Sequence, residues 1–276
     1  MNWLFQPFQY EFMVRGLLAS VMVGVLCAVM GTYVVLRGMA FLGDAMAHAI
    51  LPGVAIAFLL HGNLLVGAVI AAVIIAISIG FFSKGGAVKE DTAIGILFAA
   101  ALSLGVALIS SIQTYAVDLS HILFGNVLGV SVSDLWLTAG LSLLVLAAVG
   151  LLYKQFLVIS FDPILAATLR LPAELLRNMM LILLALTVVV SLQTVGVGLA
   201  AAMLVTPAAT AFLLTRRLWP MMLVSAVIGA FSAVTGLYLS YFFNIVSGSA
   251  IVLTATAIFL LVFLFQPRRG LVWKKR

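Results

Sequence analysis

The stretch Asn63–Ser83 reads NLLVGAVIAAVIIAISIGFFS and contains no charged side chain. A helix needs about 20 mostly apolar residues to cross the hydrocarbon core of a bilayer. Since this run is continuous and does not alternate over segments of about ten residues, it predicts a transmembrane helix and disfavours a transmembrane β-barrel. Similar runs recur along the chain, and they decide the fold class.

The composition is typical of an integral membrane protein. Of its 276 residues, 65% are hydrophobic and 8% are charged, whereas a soluble domain carries about 25% charged residues. This small number of polar side chains cannot cover the surface of a globular protein in water. The sequence therefore predicts an all-α, multi-pass membrane protein. The lone cysteine, Cys27, excludes an intramolecular disulfide framework and a cysteine-cluster metal site.

The apolar runs predict nine transmembrane helices, with eight as the alternative count. Two joins, after Gly62 and at Gly196–Gly198, are so short that broken or re-entrant helices are an alternative to ordinary hairpins there. We find no soluble domain or linker, and we expect residues 1–276 to form a single transmembrane domain. The predicted helices lie near residues 14–36, 42–61, 63–83, 92–113, 134–153, 178–195, 198–215, 219–243 and 249–266.

The positive residues predict the orientation of the chain. Its net charge of +6 suits placement in a membrane better than contact with nucleic acid, because Lys and Arg lie between and after the apolar runs. The connections at 114–134 and 244–248 contain neither Lys nor Arg and are predicted to be external. On the positive-inside rule, nine helices place the N-terminus outside and the C-terminus in the cytoplasm.

Two ionisable residues stand inside the second apolar run, in FLGDAMAHAILPG at 41–53. Asp44 and His48 are four residues apart and share one helix face. Ionisable residues within membrane spans normally face a partner or a water-filled path. We therefore expect a site for a transported divalent cation, with an Asp–His pair that only binds neighbouring helices as the alternative. Pro52, one turn later, predicts a kink at the same depth.

A second polar cluster lies in VDLSHILFGNVLGVS at 117–131, on the connection predicted to be external. It contains Asp118, His121 and Asn126. Solvated loop residues are one interpretation, but the segment is apolar enough to predict a short helix or re-entrant element near the entrance. There it would gate the path or receive metal from a carrier.

Two later segments carry signals for local helix structure but place no ionisable residue inside a predicted span. In SFDPILAATLRL at 160–171, Asp162 followed by Pro163 is a helix-start signal on the cytoplasmic side. The predicted short helix would dock a partner or lie on the membrane surface. In QTVGVGLAAAMLVTPAATA at 193–211, small residues favour close packing, and Pro207 predicts a kink.

The chain resembles the membrane permeases of ABC importers for manganese, zinc and iron, the ABC-3 family. The resemblance rests on GDAMAHAILPG at 43–53, DLSHILFGNVLGVS at 118–131, SFDPILAATL at 160–169 and VSLQTVGVGLAAAMLVTPAATAFLLTRRL at 190–218. It implies a fold similar to the vitamin B12 and siderophore permeases of type II importers, in a bacterial cytoplasmic membrane.

The same resemblance implies roles and partners. Asp44 and His48 would line the metal path, and a coupling segment at about 160–172, with Asp162, Pro163, Leu165 and Leu169, would contact an ATPase. The permease would pair with a second copy, engage two cytoplasmic ATPase subunits and receive metal from an external binding protein. It would be no enzyme itself, and it would hold no permanent cofactor.

Two observations bear on which metal is transported: the donor atoms of the pair and the family resemblance. One carboxylate and one imidazole suit manganese, zinc or iron, so the pair alone leaves the metal open. The segment DLSHILFGN at 118–126 resembles the manganese and iron branch of the family. This resemblance favours manganese, with zinc as the main alternative. A proton-coupled secondary transporter is the alternative mechanism, but it predicts further charged residues in the membrane, and residues 178–215 and 218–267 contain none.

Overall fold

The computed structural model describes residues 9–86, 88–111, 127–161 and 163–266. Within these ranges the chain forms twelve α-helices and two short 3₁₀ turns, Lys84–Gly86 and Val127–Gly129. The helices are α1 Glu11–Leu36, α2 Leu42–Ala49, α3 Leu51–Leu59, α4 Leu64–Phe82, α5 Glu90–Ser110, α6 Val132–Leu151, α7 Tyr153–Phe161, α8 Pro163–Thr168, α9 Ala173–Val195, α10 Val197–Leu214, α11 Leu218–Phe243 and α12 Ser247–Phe265.

Eight spans in the described part of the chain are long and apolar enough to cross a membrane. They include Leu42–Leu59, in which α2 and α3 together form one span, and Leu199–Leu214 of α10 adds a shorter apolar helix. The predicted all-α, multi-pass architecture is confirmed. The expected count of eight or nine also agrees, depending on how α10 is counted.

The structure corrects several predicted boundaries. Helix α9 begins at Ala173, five residues before the predicted start, because its first turn carries Glu174 and Arg177 and lies outside the apolar run. Helix α6 begins at Val132, where Ser131 and Asp134 form a capping box. Sequence analysis missed α7, a helix that buries Phe156 and Ile159 despite its polar beginning.

Helix α1 is the central element, and it packs against α10, α11, α6 and α9. Two of its glycines allow this. A Cβ on Gly31 would overlap the carbonyl oxygen of Leu204 in α10, and a Cβ on Gly24 would lie 2.9 Å from the carbonyl oxygen of Gly229 in α11. Small residues let helix backbones approach closely where water does not drive their association.

The tight join predicted near residue 196 is a single residue. Gly196 separates α9 from α10, with φ +84° and ψ 168°, a conformation that only glycine adopts readily. Helix α10 then continues through Pro207 as one helix to Leu214. The proline therefore does not interrupt the helix, in contrast to the interruption that precedes Pro52.

Contacts between helix ends place several basic residues at the same end of the bundle. Arg37 binds Glu90, Arg177 donates to the carbonyl oxygen of Gly80, and Lys84 pairs with Glu174. The ends of α1 and α4 and the starts of α5 and α9 therefore meet. Three Lys and Arg side chains at this end are what the positive-inside rule expects of the cytoplasmic side, which is where the sequence predicts them.

Candidate metal-binding site

Helix α2 carries the two residues that sequence analysis singled out. Nε2 of His48 lies 3.7 Å from Oδ1 of Asp44, one helical turn away. The two side chains are 29% and 44% exposed, respectively. They therefore share one face of α2 and remain accessible, as the spacing predicted.

The opposite face of α2 is buried and holds the helix in place. Leu42, Ala45, Met46, Ala47 and Ala49 are all nearly inaccessible. Gly43 faces α10, where a Cβ would lie 3.1 Å from Cδ2 of Leu204. Because the residue before Asp44 packs this closely, α10 fixes the height and rotation of the helix that presents the pair.

An aromatic residue of α5 flanks the same pair. The Phe98 ring lies 6.0 Å from the His48 ring and 5.6 Å from the Phe41 ring, which it meets edge-to-face. Such edge-to-face pairs are favourable and directional. Phe98 thus limits the orientations open to the imidazole, and it was not identified from the sequence because 50 residues separate it from His48.

The span that carries the pair is interrupted just beyond it. Helix α2 ends at Ala49, and α3 begins at Leu51 with Pro52 in its first turn. Proline lacks an N–H and cannot continue the hydrogen-bond ladder of α2. The amides of Gly53 and Val54 instead donate to the carbonyl of Ile50, at 3.0 and 3.2 Å.

Close packing supports this interruption on two sides. A Cβ on Gly53 of α3 would overlap the carbonyl oxygen of Gly67 in α4, and a Cβ on Gly105 of α5 would lie 2.8 Å from Cβ of Leu51. The interruption is therefore fixed between α4 and α5. His48 consequently sits near the end of a short, rigid helix.

The geometry of the pair suits a shared cation. An ion about 2.1 Å from each ligand atom, a usual zinc–nitrogen or zinc–oxygen distance, would see Oδ1 of Asp44 and Nε2 of His48 at roughly 120°. Among the described residues, no group of three or more His, Cys, Asp and Glu side chains could hold a metal. The described part of one chain thus offers two ligands of this kind, and water or another chain must supply the rest.

The other predicted site residues are only partly described. Asp118, His121 and Asn126 lie outside the described residues, as does Asp162. The 117–131 segment is described from Val127, which is buried and packs against Gly16 of α1. Its described end therefore packs on the bundle.

The segment predicted to contact an ATPase forms a compact helix. Helix α8 begins at Pro163, where the start signal placed it, and ends at Thr168; Arg170, two residues later, has φ +53°. The amide of Leu171 donates back to the carbonyl of Ala166 at 3.0 Å, an arrangement that closes helix ends. Leu165 and Leu169, four residues apart, are 45% and 55% exposed.

A partly buried charge cluster, where α1 and α4 end and α5 and α9 begin, was not anticipated. Arg37 and Glu90 form an ion pair with Nη2 and Oε2 2.6 Å apart. Burial lowers the pKa of the Arg37 guanidinium, while the charge of Glu90 raises it. The two residues are 53 positions apart, so no local sequence pattern predicts their pairing.

Comparison with known proteins covers nearly the whole chain. The manganese transport system membrane protein MntC of Listeria monocytogenes is 47% identical over 268 residues, 97% of this chain and 95% of the relative. MntC of Halalkalibacterium halodurans is 46% identical over 97% of this chain and 91% of its own length. The manganese import system permease protein ScaB of Streptococcus parasanguinis is 41% identical over 95% and 93%.

Two solved structures share the fold. PsaBC from Streptococcus pneumoniae, in complex with Fab, superposes with a TM-score of 0.85 at 38% identity, covering 96% of each chain. An inward-facing metal-chelate type ABC transporter superposes with a TM-score of 0.72 at 15% identity, a likeness of fold alone, covering 91% of this chain and 85% of the other. The family model described as ABC 3 transport family matches residues 9–266, and the chain therefore belongs to the ABC-3 transport family.

Proposed function

We propose that this chain is the permease subunit that carries manganese into the cytoplasm in an ABC importer. One observation carries the proposal: an accessible carboxylate and imidazole lie 3.7 Å apart within an otherwise uncharged span. Three relatives at 41–47% identity, which are named as manganese transport proteins, support the choice of cargo.

In this proposal Asp44 and His48 bind the cation transiently. A conducting site must bind strongly enough to admit the ion and weakly enough to release it. Two protein ligands meet this requirement better than a closed four-ligand cage, which retains its metal. A second copy of the chain would bring another such pair, so that two pairs and water complete one coordination shell.

Energy for transport would come from a separate chain. The sequence lacks a phosphate-binding GxxxxGK[ST] loop, so we assign ATP hydrolysis to cytoplasmic ATPase subunits. Helix α8 is the proposed contact, because Leu165 and Leu169 place two exposed leucines on one face of a rigid turn. Asp162 and Pro163 would set the start of that helix.

An external binding protein would deliver the metal at the opposite end of the single transmembrane domain, residues 1–276. Asp118, His121 and Asn126 in the 117–131 segment are proposed to gate the entrance or to receive the ion. The packing of Val127 on Gly16 of α1 supports a segment that is anchored to the bundle at one end.

Manganese is favoured over zinc by the relatives, because the donor set alone leaves the metal open. Asp44 supplies a hard oxygen and His48 a nitrogen, while the Cys27 sulfur is buried on α1 and contacts the Ser191 hydroxyl at 2.9 Å. The carboxylate oxygen suits manganese, and the imidazole nitrogen suits zinc or iron equally well. Zinc and iron remain the alternative cargoes.

Uptake of radiolabelled manganese, with zinc as competitor, tests the proposal in cells that express this chain with its operon neighbours. We expect uptake that excess unlabelled manganese suppresses more strongly than zinc, and that Asp44→Ala abolishes. Uptake of zinc alone would keep the mechanism and overturn the metal. Uptake of neither metal would overturn the proposed function.

A further inference from the structure

Two ion pairs at the cytoplasmic end differ sharply in burial. The side chains of Arg37 and Glu90 are only 14% and 18% exposed. Those of Lys84 and Glu174 are 62% and 56% exposed, with Nζ and Oε2 3.1 Å apart. An exposed pair of this kind is screened and contributes little, whereas removing one partner of a buried pair leaves the other charge without compensation.

The buried pair belongs to a crowded cluster. Arg177 of α9 donates to the carbonyls of Gly80 and Ser83 at the end of α4, at 2.8 and 3.4 Å. Its positive charge is close enough to lower the pKa of Arg37. Among the described residues, Oε1 of Glu90 is buried without a hydrogen-bond partner. Arg37 thus pairs with a carboxylate that is only half satisfied, and a second guanidinium, that of Arg177, lies nearby.

Such a cluster is poorly suited to adding stability. Removing two charges from water costs several kcal/mol per ion, and the attraction repays this only when the remaining polar atoms are also paired. Here one carboxylate oxygen is not. Its more useful property is geometric, because it joins the end of α1 to the first residue of α5.

That join is connected to the metal-binding pair by a short path. Glu90 begins α5, and Phe98 follows eight residues later on the same helix, about 12 Å along its axis. Phe98 packs on Phe41 and on His48. Helix α5 therefore holds the segment 37–48 at two points, by an ion pair at Arg37 and by an aromatic contact at His48.

We propose that Arg37 and Glu90 are positioning residues for the metal-binding pair, acting through Phe98. The ion pair sets the height of α5 against α2, and Phe98 then holds the His48 imidazole where it shares a cation with Asp44. Breaking the ion pair lets α5 slide, and the imidazole loses its support. This inference rests on the proposed role of Asp44 and His48.

The test measures the affinity for Mn²⁺ of the complete complex of this chain with its ATPase. The complex is purified in detergent, and Mn²⁺ binding is followed by EPR during a titration. Glu90→Gln removes the charge with little change of shape, and Phe98→Ala removes the aromatic support. We expect each to weaken Mn²⁺ binding about tenfold, the scale found for residues that orient metal ligands. The basal rate of ATP hydrolysis should stay within about twofold of the parent rate, and the complex should remain monodisperse on gel filtration.

Coupling between the two positions separates positioning from damage. If both substitutions act through the same contact, the double variant should bind Mn²⁺ no more weakly than the weaker single variant. Arg37→Glu combined with Glu90→Arg should restore affinity to within about threefold of the parent, since it recreates the pair. Glu174→Gln, the same change in the exposed pair, is the matched control and should leave affinity unchanged.

Parent-like Mn²⁺ affinity of Glu90→Gln would overturn the inference. It would also be overturned if the double variant lost as much binding free energy as the Glu90→Gln and Phe98→Ala variants lose in sum. If the charge-swapped protein fails to assemble, the comparison of single and double variants still decides. The parent and Asp44→Ala distinguish the two levels of proposal. A parent that binds no Mn²⁺ overturns both, whereas loss of binding in Asp44→Ala with parent-like Glu90→Gln overturns only the positioning role.

Discussion

Replacing Gly31 by alanine should disturb the bundle at the point where α1, α10 and α2 meet. A Cβ at position 31 would lie far inside contact distance of the Leu204 carbonyl oxygen. That oxygen belongs to the backbone of α10 and cannot rotate away, so the helix itself must move. The Leu204 side chain also packs on Gly43, the neighbour of Asp44, and the displacement is therefore passed to α2, which carries Asp44 and His48.

The magnitude follows from two opposing effects. Overpacking a close contact costs about 1–3 kcal/mol, while alanine in a helix interior is favoured over glycine by about 1 kcal/mol. Because the contact is with backbone, we expect the upper part of that cost and a net loss of about 1–2 kcal/mol. For a chain of this size each kcal/mol shifts the melting temperature by about 2–4 °C, so Gly31→Ala should melt about 2–8 °C lower.

Melting in detergent, followed by the loss of the monodisperse peak on gel filtration, measures this shift. The control is Gly140→Ala in the middle of α6, where an added Cβ has nothing within 4 Å. The same chemical change should there leave the melting temperature unchanged or raise it by about 1–3 °C, from helix propensity alone. If Gly31→Ala melts no lower than Gly140→Ala, the close contact between α1 and α10 is wrong.

Three further predictions follow from the same structure. Gly196→Ala should lower the melting temperature clearly more than Gly38→Ala. Gly196 combines φ +84° with ψ 168° inside a one-residue join, a strain of about 1–3 kcal/mol for other residues, whereas Gly38 has φ +70° and open space around an added Cβ. Equal melting would contradict the conformation of Gly196. Separate Asp44→Ala and His48→Ala variants should each reduce manganese uptake by more than about tenfold while gel filtration shows an intact complex, and normal uptake in both would remove the site. Leu165→Asp with Leu169→Asp should prevent co-purification of the ATPase, since carboxylates would enter a desolvated contact, and undiminished co-purification would exclude α8 as the docking helix.

Much of the fold is predictable because a bilayer imposes a simple requirement on sequence. Each span must satisfy its backbone internally and bury apolar side chains over about 20 residues, so apolar runs such as 63–83 identify spans directly. Boundaries outside the hydrocarbon obey other rules. The polar first turn of α9 and the whole of α7 are helical for reasons of capping and packing, which a search for apolar runs does not detect.

The candidate site divides in the same way. Asp44 and His48 are recognisable because their contact is local, four residues along one helix. Phe98 and Glu90 come from a helix that begins 53 residues after Arg37, and their contacts depend on how α5 lies against α2. Close approaches such as Gly53 to Gly67 also require the packed structure, since small residues occur throughout the chain and only some of them meet a backbone.

ATP-driven accumulation of manganese in proteoliposomes is the decisive test of transport through Asp44 and His48. The vesicles would contain this chain with its ATPase and binding protein, prepared in parallel with Asp44→Ala and with the control Glu174→Gln. We expect manganese accumulation that requires ATP, is lost in Asp44→Ala and is unchanged in Glu174→Gln. Accumulation that persists in Asp44→Ala, or that proceeds equally without ATP, would contradict it.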